Sequence, residues 1–264
     1  MFVRRDRAGI GLWQEERWAA WDVLHAFSDR YGGVSPAPFS SLNVGLHVGD
    51  DAAAVRENRR RLCRALGVAP EALVAGEQVH GTRVAVVGAE DRGRGAFELR
   101  DAVPGADALV TDTPGVILFA LFADCVPVYL YDPKRRAVGL AHAGWKGTAG
   151  GIARRTAEKM SEAFGSRPED LHAAIGPSIG PCCYEVGEEV ARALAGAGPG
   201  IVVEDAQRLR ADLWAANAAQ LAEAGVPRDN IAVAGLCTRC LRDTFFSHRG
   251  HGGRTGRMAA AIGL

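Results

Sequence analysis

Three short, glycine-rich segments of the chain each carry one side chain of a type that binds transition metals. The side chains are His80 in Gln-Val-His-Gly, Cys125 in Ala-Asp-Cys-Val-Pro and His142 in Ala-His-Ala-Gly-Trp-Lys-Gly-Thr. Two imidazoles and one thiolate form a His₂Cys set, which is one ligand short of a closed tetrahedral zinc site. Catalytic zinc sites have this composition when water or substrate takes the fourth position. The three residues are far apart in the sequence, so only the fold can bring them together.

Each of these residues, taken alone, is also compatible with a purely structural role, because free cysteine often behaves as a small buried hydrophobe. Asp124 beside Cys125 suggests a catalytic group, but adjacent residues of a strand point to opposite faces. Asp124 therefore fits better as a group that supports the ligands or faces substrate, unless the strand has already ended. Asp124 and Asp107 are the residues we consider for general acid–base catalysis.

The remaining cysteines give a weaker signal of chemistry. Cys182 and Cys183 are adjacent, and a disulfide between neighbours would be strained. Cys237 and Cys240 form a single C-x-x-C without a second such pair, so they do not predict a zinc ribbon, and no thioredoxin-like context surrounds them. We therefore interpret both pairs as structural.

Composition narrows the classes of protein open to the chain. It has 264 residues, 48% of them hydrophobic, which is enough for a large core without disulfides or metal staples. No linker or fixed-period repeat divides it, so we expect one domain over residues 1–264. Lys plus Arg equals Asp plus Glu at 31 each, which argues against nucleic-acid or membrane partners.

No apolar run is long enough for a signal peptide or a membrane span, and six cysteines without an export signal suggest reduced thiols in a cytoplasmic protein. The oligomeric state stays open.

Hydrophobic periodicity predicts strands and helices in a mixed order. Strands are expected at 23–27, 108–111, 116–123, 126–131, 137–142, 171–175 and 231–234, with an extended segment over 74–87. Helices are expected at 51–66, about 148–164 and about 210–224. Consecutive strands combined with strand–helix–strand units favour a mixed sheet covered by helices. No G-x-G-x-x-G follows the first strand, so a dinucleotide-binding fold is not indicated.

Several segments, in order from about residue 23 to the C terminus, resemble those of a known family. They are Phe27–Gly33, Ser41–Gly45, Gln78–Gly81, Ala106–Thr111, Ala123–Pro127, His142–Thr148, Ile175–Tyr184 and Phe245–Arg249. The His-Ala-Gly-Trp-Lys-Gly-Thr and Gly-Pro-x-Ile-Gly-Pro-Cys-Cys blocks are the most specific of them. The chain resembles the YfiH or laccase-domain family, also called polyphenol oxidase or purine nucleoside phosphorylase of the YfiH type.

The resemblance implies an α/β (α+β) fold, a single-domain α/β/β/α sandwich with mixed sheets, in which zinc is bound by His80, Cys125 and His142. It also implies phosphorolysis of adenosine, inosine and methylthioadenosine and deamination of adenosine, so the partners would be a small-molecule nucleoside and phosphate. Arg30 falls on the family's arginine motif, and its planar, permanently charged guanidinium would hold phosphate or ribose. The further residues expected to contact substrate are Asn43, Lys146 and Thr148.

The family's older name points to a multicopper oxidase, and the histidine content argues against one. Such an enzyme needs a blue-copper centre and a trinuclear cluster, whereas the chain has seven histidines and no H-x-H pair. A lone His₂Cys set could bind copper adventitiously, because copper(II) outcompetes zinc at most nitrogen and sulfur sites. Copper-dependent oxidation of phenols would then be a slow side activity.

A cysteine hydrolase or amidase is the alternative that these residues leave open. Cys125 would be its nucleophile, and His80 or His142 would be the base that activates the thiol. Editing of cell-wall peptide precursors, which has been linked to members of the resembled family, would suit such an activity.

Overall fold

The structure, a computed structural model, describes residues 1–198, 200–205 and 208–264. The strands are β1 Phe2–Arg7, β2 Ile10–Glu15, β3 Leu24–Ser28, β4 Leu73–Ala75, β5 Val84–Val86, β6 Ala108–Thr111, β7 Ile117–Phe122, β8 Val126–Asp132, β9 Ala137–Ala143, β10 His172–Ile175, β11 Glu185–Val186, β12 Val202–Asp205, β13 Arg208–Ala211, β14 Ile231–Val233 and β15 Met258–Gly263. The α-helices are α1 Ala52–Leu66, α2 Trp145–Ala149, α3 Ile152–Phe164, α4 Glu188–Leu194 and α5 Leu213–Glu223. Short 3₁₀ turns lie at Glu16–Ala20, Pro70–Ala72, Ala89–Asp91, Leu99–Asp101, Pro168–Asp170, Ala195–Ala197 and Arg228–Asn230.

Two six-stranded mixed sheets form the centre of the molecule. The first has the order β1-β2-β3-β15-β7-β4 and the second the order β14-β10-β8-β9-β6-β5, while β11-β13-β12 form a small third sheet. Most neighbours are antiparallel, but β4 is parallel to β7, β5 is parallel to β6 and β14 is parallel to β10. Both main sheets are therefore mixed, as expected.

Three apolar cores hold these layers together. The core between the two main sheets contains Phe27, Phe122 and Leu140. A second core joins the other face of the second sheet to helices α3 and α5, and a third joins the first sheet to α1. Each apolar face is buried against a neighbouring layer, and the layers follow in the order helix, sheet, sheet, helix. This arrangement confirms the α/β/β/α sandwich.

The helix predicted over 51–66 is confirmed, and its ends follow from local chemistry. The side chain of Asp51 accepts hydrogen bonds from the first-turn amides of α1, and Gly67 ends the helix in the left-handed region with φ 75°. The helix predicted over 148–164 is instead two helices, α2 and α3, because Gly151 adopts φ 79° between them. The helix predicted from about 210 begins at Leu213, since Asp212 caps it and 208–211 forms a strand.

The extended segment predicted over 74–87 is not one strand. It divides into β4 of the first sheet and β5 of the second, with a crossing loop between them. The strands predicted at 108–111, 116–123, 126–131 and 137–142 are confirmed, with shifts of at most one residue at their ends. Among the described residues, the sequence patterns missed the N-terminal hairpin of β1 and β2, helix α4, the small third sheet and the C-terminal strand β15. Within the same described part of the chain, no helix combines the length and apolarity required for a membrane span.

Candidate metal centre and active site

The three predicted metal ligands meet where the chain passes from one main sheet to the other. His80 lies in the loop between β4 and β5, and Cys125 lies in the loop between β7 and β8. Both loops cross between the sheets. His142 is at the end of β9, next to β8 in the second sheet. The sandwich architecture therefore brings together residues that are distant in the sequence.

The ligand atoms of these three residues form a compact set. One ligand atom from each of His80, Cys125 and His142 lies within 4.8 Å of the other two. The two imidazole rings are nearly perpendicular, at 74°, with their centroids 4.8 Å apart. His142 is buried, Cys125 is half-buried and His80 is exposed. The set is thus anchored in the core on one side and accessible on the other.

Asp107 orients two of the ligands at once. Its carboxylate accepts hydrogen bonds from the backbone N–H groups of Val79, His80 and Gly81, at 3.1, 3.0 and 2.7 Å. The same carboxylate lies 2.9 Å from Nδ1 of His142. A carboxylate can only accept this bond, so Nδ1 carries the proton and Nε2 is left free to bind a metal.

The local charges favour a thiolate at Cys125. Burial alone would raise the pKa of this thiol, but the positive charge of His142 and hydrogen bonds from both imidazoles lower that pKa to about 6. Burial alone would lower the pKa of His142, but the Cys125 thiolate and the Asp107 carboxylate raise that pKa to about 9. In the absence of metal, the pair is therefore an imidazolium and a thiolate at neutral pH.

The surroundings of the three ligands fit a metal ion. A Cβ atom at Gly144 would lie 2.9 Å from Cδ2 of His80 and 3.2 Å from Sγ of Cys125, so a side chain at this position would displace both ligands. The donor set of two imidazoles, one thiolate and a supporting carboxylate suits zinc with one coordination position open.

Asp124 stands beside Cys125 but serves mainly as a connector. The strand has ended at this point, and Asp124 adopts φ 89°, so the two neighbours are not constrained to opposite faces of a strand. Its carboxylate accepts hydrogen bonds from Thr238 Oγ1 and from the backbone N–H of Arg249, each at 2.6 Å. Its carbonyl accepts the N–H of Ile179 at 2.9 Å. Both carboxylate oxygens are thus already engaged.

A cavity of about 850 Å³ opens onto the three ligands. Its apolar lining includes Trp145, Tyr184 and Val190, and its cationic lining includes Arg249 and Arg257. His47 and His248 also line it. A cavity of this size with apolar walls and a few convergent polar groups is typical of small-molecule sites.

The two arginines are held in place by neighbouring loops. Arg257 is half-buried; Asn43 Oδ1 accepts its backbone N–H at 2.9 Å, and its Nη1 donates to the carbonyls of Thr255 and Gly256. Arg249 is exposed, donates to the Glu185 carbonyl at 2.8 Å and stacks over the Tyr184 ring. Neither arginine carries a sequence signal for substrate binding, apart from the family resemblance over Phe245–Arg249, which includes Arg249.

The other residues expected at substrate lie outside the lining of this cavity. Arg30 donates to the carbonyls of Ser40 and Arg242, stacks on Phe246 and lies 3.0 Å from His251. Its guanidinium therefore ties the segment between β3 and α1 to the segment between β14 and β15. Lys146 is exposed, with its ammonium 5.5 Å from the Trp145 ring centroid.

Thr148 and Asn43 are buried and connect structural elements. Thr148 Oγ1 and its carbonyl accept hydrogen bonds from Asn217 and Gln220, which join α2 to α5. Asn43 fixes the backbone of Arg257, so its link to the cavity is indirect.

The two cysteine pairs, which we interpreted separately from sequence, converge on one point of the surface. The sulfur atoms of Cys182, Cys183, Cys237 and Cys240 all lie within 4.8 Å of one another. Among the residues that the structure describes, this cluster and the His₂Cys set are the two groups of His, Cys, Asp or Glu that could hold a metal ion. Neither resembles a trinuclear copper cluster built from histidines.

The fold and the His₂Cys site together define the class of protein. The chain belongs to the family described as multi-copper polyphenol oxidoreductase laccase, whose model matches residues 24–264.

Particular relatives are similar over nearly the whole chain. The purine nucleoside phosphorylase YlmD of Geobacillus stearothermophilus is 48% identical, covering 91% of this chain and 90% of that protein. The adenosine deaminase RL5 from an unknown prokaryotic organism is 40% identical, covering 90% of this chain and 93% of that protein. The crystal structure of YlmD from Geobacillus stearothermophilus matches 99% of this chain and 98% of that chain, with a TM-score of 0.94 and 44% identity.

Proposed function

We propose that the chain is a zinc-dependent purine nucleoside enzyme that catalyses phosphorolysis of adenosine, inosine and methylthioadenosine and deamination of adenosine. The observation that carries the proposal is the open His₂Cys set facing a cavity of about 850 Å³. The names of two relatives, a purine nucleoside phosphorylase and an adenosine deaminase, support the same substrate class.

The apolar part of the cavity suits a purine. Trp145 and Tyr184 line it with aromatic surface, and Val190 and Ile179 add aliphatic surface. Aromatic side chains bind flat heterocycles through offset stacking while burying apolar area. A purine base would stack on this aromatic surface.

The cationic part of the cavity suits phosphate. Arg249 and Arg257 both line it, and a guanidinium pairs with phosphate through two parallel N–H donors. In Arg30 all three guanidinium nitrogens donate to backbone carbonyls, whereas Arg249 and Arg257 use Nη1 in this way. We therefore assign anion binding to Arg249 and Arg257 rather than to Arg30.

The two reactions make different demands on these residues. In phosphorolysis, the bond from the anomeric carbon to the purine nitrogen breaks, a phosphate oxygen bonds to that carbon, and the purine takes up a proton. In deamination, water adds to the purine carbon that bears the amine, and ammonia leaves. Arg249 and Arg257 would position the phosphate, and the cavity would exclude bulk water from the purine. A zinc ion held by His80, Cys125 and His142 would supply Lewis acidity and lower the pKa of bound water.

The first experiment asks whether the open site supports both reactions. Inosine with phosphate should give hypoxanthine and ribose 1-phosphate, and adenosine alone should give inosine and ammonia. Cys125→Ala removes a metal ligand and with it the stabilisation of charge that the metal would give the transition state. A loss of several kcal/mol corresponds to about a thousandfold in rate, so both activities should be abolished. Cys63→Ala is a matched control, because Cys63 is buried in α1 among apolar residues. Full nucleoside activity in Cys125→Ala would refute the proposal.

The second experiment separates the anion site from the metal site. Arg257→Ala should slow phosphorolysis by about ten- to a hundredfold, since a charge-assisted hydrogen bond contributes roughly 1.5–3 kcal/mol. Deamination needs no phosphate and should fall much less. Arg30→Ala should lower thermal stability without changing the ratio of the two rates. An equal loss of both activities in Arg257→Ala would show that this arginine does not bind phosphate.

One observation favours a second candidate, a cysteine hydrolase. Cys125, His142 and Asp107 are arranged like the nucleophile, base and carboxylate of a catalytic triad. His142 lies beside the Cys125 thiol, and the Asp107 carboxylate contacts Nδ1 of His142. Such an enzyme would hydrolyse a peptide amide without metal and would be inactivated by iodoacetamide. Amide hydrolysis that survives a chelator and is lost in Cys125→Ser would establish this alternative.

A further inference from the structure

A second group of metal-binding side chains lies at the surface beyond the cavity lining. It consists of Cys182, Cys183, Cys237 and Cys240, hereafter the four-cysteine cluster. Sγ of Cys240 is 3.4 Å from Sγ of Cys183 and 3.6 Å from Sγ of Cys182. Sulfurs around a tetrahedral zinc are about 3.8 Å apart when each Zn–S bond is about 2.3 Å, whereas a disulfide requires about 2.05 Å. The observed separations therefore correspond to ligands that share one ion.

The topology of the second sheet explains why these cysteines meet. Strands β10 and β14 are parallel neighbours, so the segments that follow them leave the sheet at the same end. Cys182 and Cys183 lie in the turn that follows β10, and Cys237 and Cys240 lie in the turn that follows β14. Each pair therefore projects from the same end of the sheet.

Backbone hydrogen bonds hold the two turns side by side. Ser178 donates its N–H to the Leu236 carbonyl at 3.1 Å and accepts the Thr238 N–H at 3.0 Å, which forms a parallel bridge between Ser178 and Cys237. Within the first turn, the N–H of Cys183 reaches the Gly180 carbonyl at 2.9 Å. The sulfurs are thus positioned by the backbone and need little rearrangement to bind an ion.

A backbone donor and a cation lie beside the sulfurs of the four-cysteine cluster. The backbone N–H of Gly180 donates to Sγ of Cys237 at 3.3 Å, a bond that stabilises a negatively charged sulfur. Arg239 lies within the C-x-x-C turn, and its guanidinium donates to the Cys183 carbonyl at 3.3 Å. One cation and an amide donor at the cluster offset part of the charge that four thiolates would bring.

We propose that the four-cysteine cluster binds a second metal ion, zinc, in a closed four-sulfur site. Four protein ligands leave no position for water or substrate, so this ion is structural. It fixes the turns that support the cavity: Tyr184 follows Cys183 directly and lines the cavity, while Thr238 lies within the C-x-x-C and holds Asp124. This assignment is independent of the reaction catalysed at the open site.

The test counts zinc in variants that remove one site at a time. Protein made without added copper is reconstituted with zinc, freed of loose metal by gel filtration and analysed by elemental mass spectrometry. We expect two zinc ions per chain in the wild type and in Cys63→Ala, one in Cys125→Ala, one in Cys182→Ser/Cys240→Ser and none in the combined variant. A wild type with one zinc that is lost in Cys125→Ala would overturn the proposal.

A second measurement keeps the test valid if a cysteine variant folds poorly. Cobalt(II) added to metal-free Cys125→Ala, whose four-cysteine cluster is intact, should give intense sulfur-to-cobalt charge-transfer absorption and raise the thermal midpoint, because the ion binds the folded state. Absence of this absorption, or a disulfide among the four cysteines in protein prepared under reducing conditions, would overturn the proposal.

Discussion

The two clusters of metal-binding side chains differ in how the chain supports them. The His₂Cys set draws its ligands from the end of β9 and from two loops that cross between the sheets, and the carboxylate of Asp107 holds the backbone at His80 and the ring of His142. The four-cysteine cluster draws its ligands from two turns after parallel strands, and backbone hydrogen bonds hold those turns together. The His₂Cys set faces a cavity of about 850 Å³, whereas the four-cysteine cluster offers four sulfur ligands close enough to bind a single ion.

This difference shows that the number and kind of ligands are matched to their surroundings. A mixed set of three donors with a buried carboxylate creates charge asymmetry, since the imidazoles lower the pKa of Cys125 while that thiolate raises the pKa of His142. In the four-cysteine cluster no imidazole or carboxylate takes part, and burial is the largest cause that raises the pKa of Cys183. The open site is therefore suited to chemistry and the closed cluster to structure.

The largest expected contrast between the two clusters is in the reactivity of metal-free thiols. The pKa of Cys125 is lowered to about 6, whereas burial and the sulfurs of Cys240 and Cys237 raise the pKa of Cys183 to about 11. At neutral pH after chelator treatment, iodoacetamide should modify Cys125 about thirty- to a hundredfold faster than Cys183, because the larger thiolate fraction of Cys125 outweighs the lower nucleophilicity of its thiolate. Peptide mass spectrometry of timed samples measures both rates.

The dependence of these rates on pH gives the sign of each shift. The rate for Cys125 should rise between about pH 5 and pH 7 and then level off, because the depressed pKa leaves little thiol above that range. The rate for Cys183 should continue to rise into the alkaline range. Protein unfolded in urea is the control, since both thiols should then have a pKa of about 8.5. A Cys125 rate that still rises above about pH 8 in the folded protein would contradict the imidazolium–thiolate pair.

A smaller effect is expected when the supporting carboxylate of the open site is neutralised. Asp107→Asn removes the charge that orients His80 and His142, so zinc affinity at the open site should fall by about ten- to a hundredfold. Competition with a chromogenic chelator measures this affinity. Asp112→Asn, at an exposed position just beyond β6, should leave the affinity unchanged. Equal affinity in Asp107→Asn and the wild type would mean that the ligands do not depend on this carboxylate.

The smallest expected effect is a steric one at the same site. Gly144→Ala places a Cβ atom 2.9 Å from His80, which should weaken zinc binding by about fivefold, or about 1 kcal/mol, since the exposed imidazole can shift. Gly187→Ala is the matched control, because Gly187 lines the same cavity and no atom lies within 4 Å of an added Cβ. If both variants bind zinc as the wild type does, the space at Gly144 is not required by the ligands.

Local patterns in the sequence predicted a large part of the fold. Helix α1 was predictable because Asp51 caps its start and Gly67 its end, so the signal lies within one segment. The buried strands β6 to β9 were predictable from short apolar runs between turns. Strand β1 was missed because it is an edge strand whose charged residues face solvent, which hides the alternation of a strand.

The site was predictable only where residue type carried the signal. His80, Cys125 and His142 stood out by their metal-binding side chains and glycine neighbours, and the structure brings them together. Arg257 could not be placed from the sequence, because its position depends on a hydrogen bond to Asn43, 214 residues earlier. The convergence of the four cysteines depends on the parallel pairing of β10 with β14, which cysteine spacing does not reveal.

The hydrogen bonds of Asp107 give two of the three ligands a single support. Because one carboxylate holds the backbone of Val79–Gly81 and the ring of His142, a change at this residue reaches both imidazole ligands at once. Nitrogen and sulfur donors bind copper(II) more strongly than zinc, so the kind of ligand alone does not select zinc. The ion found in the open site should then reflect the supply in the host or purification buffer, and the same polypeptide would be isolated as a zinc or a copper protein accordingly.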